Sequence, residues 1–219
     1  MNDGDGVQRR RLTRTEAKAR TRQQLLDAAA RTFAQKGYGG ASVEEIAESA
    51  GYSTGALYSN FASKEQLFLE LMSARASRRI TAVAEILEGE DAGDPIEALA
   101  RLMERTADRN QDTDLMALRA EFWLYAVRNP DAMEALVAQR RDQVDGLTGV
   151  ISTAMERWGA PADVSATELA TVVLAMFQGL VRQRRIDPAR VSGDLFAQSL
   201  RWLFAGLGAT GPEPPERAR

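Results

Sequence analysis

The stretch STGALYSNFASKEQLF, Ser53 to Phe68, decides what this chain can be. It combines apolar residues at helical spacing with small hydroxyls, a glycine and single polar side chains. Leu57, Phe61 and Leu67 occupy positions that are typical of a buried helix face. The polar residues between them must therefore face something else, and the flanking sequence indicates what that is.

The segments around this stretch predict a helix-turn-helix. A first helix is predicted over 14–36, with Gly37 as its C′ residue. Ser42 opens a second helix with the capping box Ser-Val-Glu-Glu, and Gly51 ends it. A third, short helix is predicted from about Ser53 to Phe61. Two short helices joined at a glycine turn have the size of a helix-turn-helix, whose second helix lies in the major groove of DNA.

The polar residues of this predicted motif suit contacts with DNA. Hydroxyls at the start of the third helix can meet base edges, and a glycine beside them permits close approach. Side chains farther along suit phosphate contact, and helix N-termini favour anions. Plainer interpretations stay open, because Ser53 also caps the helix, Tyr58 could be a packed aromatic with an exposed hydroxyl and Lys64 could be a solvated lysine. The DNA-binding residues predicted here are Arg10, Arg11, Ser42, Ser53, Thr54, Gly55, Tyr58, Asn60 and Lys64.

The charge distribution indicates a polyanion partner at one end of the chain. The net charge is −3. Residues 1–36 hold nine Lys and Arg against four Asp and Glu, a net +5, so the remainder carries −8. A basic end on an acidic body is typical of a protein that meets a polyanion at that end only, although a solvated basic tail has the same composition.

Two absences disfavour an enzyme. The sequence contains no histidine and no cysteine, so a zinc site with nitrogen or sulfur ligands, a Ser-His-Asp triad and a Cys-His pair are all excluded. No Walker loop or GxGxxG motif is present. We therefore predict no enzymatic activity, no cofactor and no metal, with a carboxylate-based enzyme as the least favoured alternative.

The sequence predicts no membrane span and no secretory signal. It has no run of about 18 apolar residues, and its first residues, MNDGDGVQRRR, are polar with no apolar segment behind them. Because no cysteine is present, nothing requires an oxidising compartment. We expect a cytoplasmic protein.

Helical signals continue through the rest of the chain, and no segment alternates as a strand would. Capping and proline signals predict further helices at about 64–88, 95–109, 113–128, 131–158, 166–185 and 193–207. The predicted fold class is all-α: an N-terminal three-helix helix-turn-helix domain followed by a C-terminal helical domain for ligand binding and dimerisation. The predicted domains are a disordered basic arm at 1–13, the DNA-binding domain at 14–62, the regulatory and dimerisation domain at 63–208 and a disordered tail at 209–219.

The last two predicted helices are apolar over much of their circumference. Such a helix pair needs cover from two sides, which a second copy of the chain would supply. Cover by the helices predicted over 95–158 is the alternative. The predicted dimer-interface residues are Val173, Leu180, Leu200, Leu203 and Leu207.

Soft and aromatic residues concentrate in the middle of the C-terminal domain. Such residues adapt to ligands, but at helical spacing they also form ordinary core. The predicted ligand-binding residues are Met103, Phe122, Trp123, Tyr125, Met155, Met176, Phe177 and Gln178.

The segment Gly37 to Phe68, GYGGASVEEIAESAGYSTGALYSNFASKEQLF, resembles the signature of the tetracycline-repressor (TetR) family of bacterial transcriptional regulators. Three motifs occur at the same spacing as in that signature: the Ala-Gly turn, the Ser-x-Gly-x-Leu-Tyr of the third helix and the Phe-x-Ser-Lys-Glu-x-Leu that enters the fourth helix. The resemblance covers about residues 20–70. Tyr52 departs from the family's small aliphatic residue, so we expect it to be half exposed and to touch DNA. Asn60 replaces a frequent Tyr or His, which leaves base preference there open.

This resemblance implies a homodimer whose C-terminal helices bind a small molecule and set the spacing of two DNA-reading heads. The function that follows is a ligand-responsive repressor, released from a pseudo-palindromic operator by a small apolar or amphipathic molecule. The implied partners are double-stranded operator DNA, a small-molecule effector and a second copy of the chain. The alternative is a DNA-binding regulator that needs no ligand or that activates transcription.

Overall fold

The structure is a computed structural model that describes residues 13–88, 96, 97, 99, 101, 110–157 and 159–208. Within these residues every regular element is a helix, which confirms the predicted all-α fold. The helices are α1 (Arg14–Gly40), α2 (Val43–Ser49), α3 (Thr54–Tyr58), α4 (Lys64–Glu88), α5 (Asn110–Ala126), α6 (Pro130–Arg157), α7 (Ala166–Ile186) and α8 (Asp194–Gly206). Residues 96, 97, 99 and 101 are helical, and most of the helix predicted over 95–109 lies outside the described residues.

Side-chain caps begin the helices where the sequence predicts them. The Ser42 hydroxyl accepts a hydrogen bond from the Glu45 backbone N–H at 3.2 Å, and the Glu45 carboxylate accepts one from the Ser42 N–H at 3.3 Å. This capping box satisfies two N–H groups that have no partner inside the helix. The pKa of the Glu45 carboxyl is lowered, mainly by the hydrogen bond that the carboxylate accepts from the Lys36 ammonium. A serine hydroxyl also caps α7, where Ser165 Oγ accepts a hydrogen bond from the Glu168 N–H.

Two helix ends differ from the prediction. Gly37 has φ of 74°, so the regular part of α1 ends there, but a further helical turn continues to Gly40. Glycine adopts this left-handed conformation without the steric cost that other residues meet. The third helix ends at Tyr58 and not at Phe61, because the Asn60 N–H bonds to the Leu57 carbonyl three residues back. The Ala56 carbonyl, which would accept this N–H in a continuing helix, accepts from the Asn60 side chain instead.

The chain divides into two compact units between Leu67 and Phe68, a few residues beyond the predicted boundary at 62–63. The first unit packs α1, α2 and α3 around one small core. Its fully buried side chains come from every element, and each contributes about 1.5–3 kcal/mol of apolar transfer free energy. They include Leu25, Phe33, Ile46, Leu57 and Phe61.

The second unit is a bundle in which α6, α7 and α8 share a larger apolar core with residues of α4. Aromatic pairs connect its elements. Phe68 stacks on Phe122 of α5 with ring centroids 4.6 Å apart, and Phe177 of α7 meets Phe196 of α8 edge-on at 5.7 Å. In the part of the chain that the structure describes, no helix has the length and apolar character needed to cross a bilayer.

Candidate nucleic-acid interface and ligand cavities

The first residues of α3 lie on the surface of the first unit. Ser53 is exposed, and its hydroxyl caps α3 by accepting from the Ala56 N–H at 3.2 Å. Thr54 is half-buried and Gly55 exposed. A Cβ built on Gly55 would find Ser53 Oγ at 3.8 Å, which is ordinary contact, so the fold leaves room for a side chain there. The folded chain alone therefore gives no reason for a glycine at this position.

Tyr58 and Thr54 lie four residues apart and share one side of α3, while Leu57 points into the core. Tyr58 is 50% exposed, so part of its side chain lies open on the surface of the first unit. Ser53, Thr54, Gly55 and Tyr58 are thus brought together on one outer surface. Arg10 and Arg11 lie outside the described residues.

Tyr52 anchors the turn before α3 to the first helix. Its hydroxyl donates to Gln24 Oε1 at 2.6 Å and accepts from Thr21 Oγ1 at 3.3 Å. The ring is half-buried, as expected for this departure from the family pattern. The hydroxyl is engaged by α1, so Tyr52 helps to hold α3 in place. Thr21 and Gln24 were not predicted, because their partner lies about thirty residues along the chain.

Asn60 closes the C-terminal end of α3. Its side-chain amide donates to the Ala56 carbonyl at 2.8 Å. Its backbone carbonyl accepts from the Arg22 guanidinium. That guanidinium also lies 4.2 Å from the centroid of the Phe61 ring. The structure therefore gives Asn60 a local role in ending the helix, and its contact with DNA stays a prediction.

Lys64 is the first residue of α4, and its ammonium is 4.6 Å from the ring centroid of the buried Tyr38. The Ser63 hydroxyl accepts from the Gln66 N–H at 3.2 Å, so Ser63 caps the same helix end. A lysine held over an aromatic ring at a helix N-terminus presents a positive charge where the helix dipole also favours an anion. Ser42 occupies the corresponding cap position at α2 and is half-buried.

The second unit contains a narrow apolar cavity of about 80 Å³. It lies among α4, α6, α7 and α8, with Phe177, Phe196 and Phe204 in its wall. The only polar side chains among its described lining residues are Arg79 and Gln143. Gln143 is buried, and its carbonyl oxygen accepts from the Arg140 guanidinium at 3.4 Å.

A wider cavity of about 510 Å³ lies beside it, among α4, α5, α6 and α7. Phe177 and Arg79 line both cavities. Of the other predicted ligand-binding residues, Trp123 and Gln178 line the wider cavity. Phe122 and Met155 are buried as ordinary core, and Met176 packs against that core. Tyr125 lies against Phe122, with centroids 6.0 Å apart, and Met103 lies outside the described residues.

Comparison with known families explains this arrangement. The model of bacterial regulatory proteins of the tetR family matches residues 25–71, and the model of the C-terminal part of BetI-type transcriptional repressors matches residues 95–209, more than half of the chain. The chain belongs to the TetR family. It is therefore a DNA-binding transcriptional regulator and not an enzyme.

The similarity of this TetR-family chain to known regulators covers nearly its whole length. The HTH-type transcriptional regulator TtgR of Pseudomonas putida is 27% identical, covering 90% of this chain and 94% of TtgR. The HTH-type transcriptional repressor AcnR of Corynebacterium diphtheriae is 28% identical, covering 87% of this chain and 96% of AcnR. Among solved structures, Salmonella enterica GusR superposes with a TM-score of 0.66 at 27% identity, covering 90% of this chain and 97% of GusR.

Proposed function

We propose that this chain is a homodimeric repressor that binds a pseudo-palindromic operator and leaves it when a small molecule occupies the second unit. The two cavities of the second unit carry the proposal. A chain that only docked on DNA would gain stability by filling an apolar cavity of about 80 Å³ and would have no need of the wider one beside it. The C-terminal family model and AcnR, both described as repressors, support repression over activation.

We infer that α3 enters the major groove with Thr54 and Gly55 foremost. A threonine offers a hydroxyl to base edges and a methyl group to thymine. The absence of a side chain at Gly55 lets the backbone approach closely, and the fold does not itself require that absence. Tyr58 and Lys64 then lie where phosphates flank the groove, with Ser42 as a further contact at the start of α2.

Thr54→Ala is expected to cost about 1–3 kcal/mol of binding free energy on the operator and little on a scrambled duplex, because a base contact carries sequence information.

Lys64→Ala should weaken binding to both duplexes alike and reduce the salt slope by about one unit per head, because a phosphate contact releases a counterion. Affinity for both duplexes across a salt series separates the two roles. An unchanged operator affinity for a folded Thr54→Ala dimer would remove α3 from base reading.

The dimer proposal rests on apolar residues that the second unit leaves uncovered. Val172 and Ile186 of α7 and Trp202 of α8 are exposed. Leu180, Leu203 and Leu207 are partly buried against the core of the same chain. Val173 and Leu200 are buried in that core, so these two predicted interface residues have little surface left for a partner. We therefore place the interface on the outer faces of α7 and α8.

A two-fold dimer should protect two half-sites about one helical turn or more apart, and genomic footprinting would reveal them. Compounds that bind the second unit can then be screened for release of that operator. An effector must bind the DNA-incompetent arrangement more tightly, since equal affinity for both arrangements shifts nothing. Failure of every such compound to change operator affinity would favour the ligand-independent alternative.

A further inference from the structure

The wider cavity of the second unit is lined by four arginines. The α5 helix lines it with residues at i, i+3, i+4, i+7 spacing from Met116 to Trp123, and α7 lines it with six residues between Ala175 and Arg182. Arg119 belongs to the α5 lining and Arg182 to the α7 lining, while α4 contributes Arg79 and α6 contributes Arg140. Four separate elements therefore each place an arginine at one concave surface.

No acidic side chain is among the lining residues that the structure describes. Arginine stays protonated in proteins, so each of these side chains keeps its positive charge. Three of the four are partly buried, and burial lowers the pKa of the Arg140 guanidinium below its ordinary value. A cavity of about 510 Å³ with this lining presents a positive, partly desolvated site.

The walls between the arginines are aromatic and apolar. Trp123 is 55% exposed on the α5 side, and the Arg79 guanidinium lies 5.5 Å from the centroid of the Phe177 ring on the α7 side. Met116 adds a flexible side chain that can adapt to an apolar group. Flat apolar surfaces beside guanidinium groups match a molecule that carries a ring system and a carboxylate or similar anionic group.

We propose that the wider cavity binds a small organic anion with an aromatic or apolar body, held through Arg79, Arg119, Arg140 and Arg182 and packed against Trp123 and Phe177. The concave shape and the aromatic walls favour this ligand over a nucleic-acid backbone, which needs an open basic surface. The inference rests on the proposed function only in calling this anion the effector. Binding itself is a separate claim.

Calorimetric titration of the full chain tests this claim with three probes of one shape: 2-naphthoate, 2-naphthamide and 2-naphthylmethylammonium. Naphthoate is expected to bind at least about tenfold more tightly than the other two, because only the carboxylate forms charge-assisted pairs with guanidinium. Added salt should weaken naphthoate binding and leave the amide unaffected. Equal or tighter binding of the ammonium compound would overturn the proposal.

Variants assign the binding to this cavity. Arg119→Gln and Arg182→Gln are each expected to weaken naphthoate binding about tenfold. Arg182 is exposed, so its replacement is expected to leave folding intact. Arg141→Gln is the matched control, because Arg141 follows Arg140 on α6 but is exposed and does not line the cavity. Unchanged naphthoate affinity in both lining variants would overturn the proposal.

The same variants separate this inference from its alternatives. If they bound naphthoate normally but lost affinity for random duplex DNA, the arginines would contact a polyanion and the proposal would be wrong. If naphthoate bound as expected and the variants abolished its binding, the anion site would stand even where operator affinity did not change. That last result would count against the proposed regulation alone.

Discussion

Trp202→Glu is expected to separate the dimer into monomers and to reduce operator affinity by about 10²–10⁴-fold. Trp202 is 61% exposed on α8, where it adds to the apolar surface that α7 also presents. A carboxylate there would have to lose its water in the dimer without a partner charge. A monomer engages one half-site at a time and loses the gain in effective concentration that two linked heads provide.

Sedimentation at micromolar concentration and operator titration measure the two effects. Val137→Glu is the matched control, since Val137 is an apolar residue of α6 that is 39% exposed and lies on neither α7 nor α8. Trp202 is a better position than Leu203, because Leu203 packs partly against its own core and a charge there would also destabilise the protomer. An intact Trp202→Glu dimer, or a wild-type monomer, would contradict the proposed interface.

Phe61→Ala is expected to lower the free energy of unfolding of the first unit by about 3–5 kcal/mol. The ring is 1% exposed and belongs to the core shared by α1, α2 and α3. Its loss leaves a cavity and also removes the surface on which the Arg22 guanidinium rests. Because Arg22 donates to the Asn60 carbonyl, the end of α3 would lose a tether to α1 as well.

Urea unfolding compares this variant with Tyr58→Ala. Tyr58 lies three residues away but is half exposed, so its replacement should change stability by no more than about 0.5 kcal/mol. Phe61→Ala should also lose operator binding because α3 is no longer held. A loss of less than about 1 kcal/mol for Phe61→Ala would show that the ring is not part of the core as described.

Local signals were enough to predict the first unit. The capping box at Ser42, the cap at Ser53 and the left-handed Gly37 each act within a few residues, and the structure has all three where the sequence indicates them. Tyr52 and Asn60 were harder. Their partners on α1 lie about thirty residues or more away, and no local pattern shows which polar groups a fold will bring together.

The sequence predicted the helices of the second unit but not which of their residues lie on its surface. A helix that is apolar on most sides does not reveal which side faces its own bundle. Leu200 is 2% exposed and fills the protomer core, whereas Trp202, two residues later, faces outward. Both are apolar residues of a helix that is apolar on most sides, and hydrophobic periodicity alone does not distinguish them.

The cavities depend on convergence between distant elements. Arginines at 79, 119, 140 and 182 lie one on each of four helices, and nothing in the sequence shows that they line one cavity. They line one cavity only when the bundle is assembled. Phe122 was predicted as a ligand contact from its aromatic character, but stacking on Phe68 makes it part of the core.

The proposed function is tested most directly by measuring how tightly a second-unit compound binds the dimer with and without saturating operator DNA. Thermodynamic linkage requires that the operator weaken compound binding by the same factor by which the compound weakens operator binding. We predict a factor of about 5–150, the usual range of a coupling free energy of 1–3 kcal/mol. Equal compound affinity for the free and the operator-bound dimer would contradict the proposal that this regulator responds to its ligand.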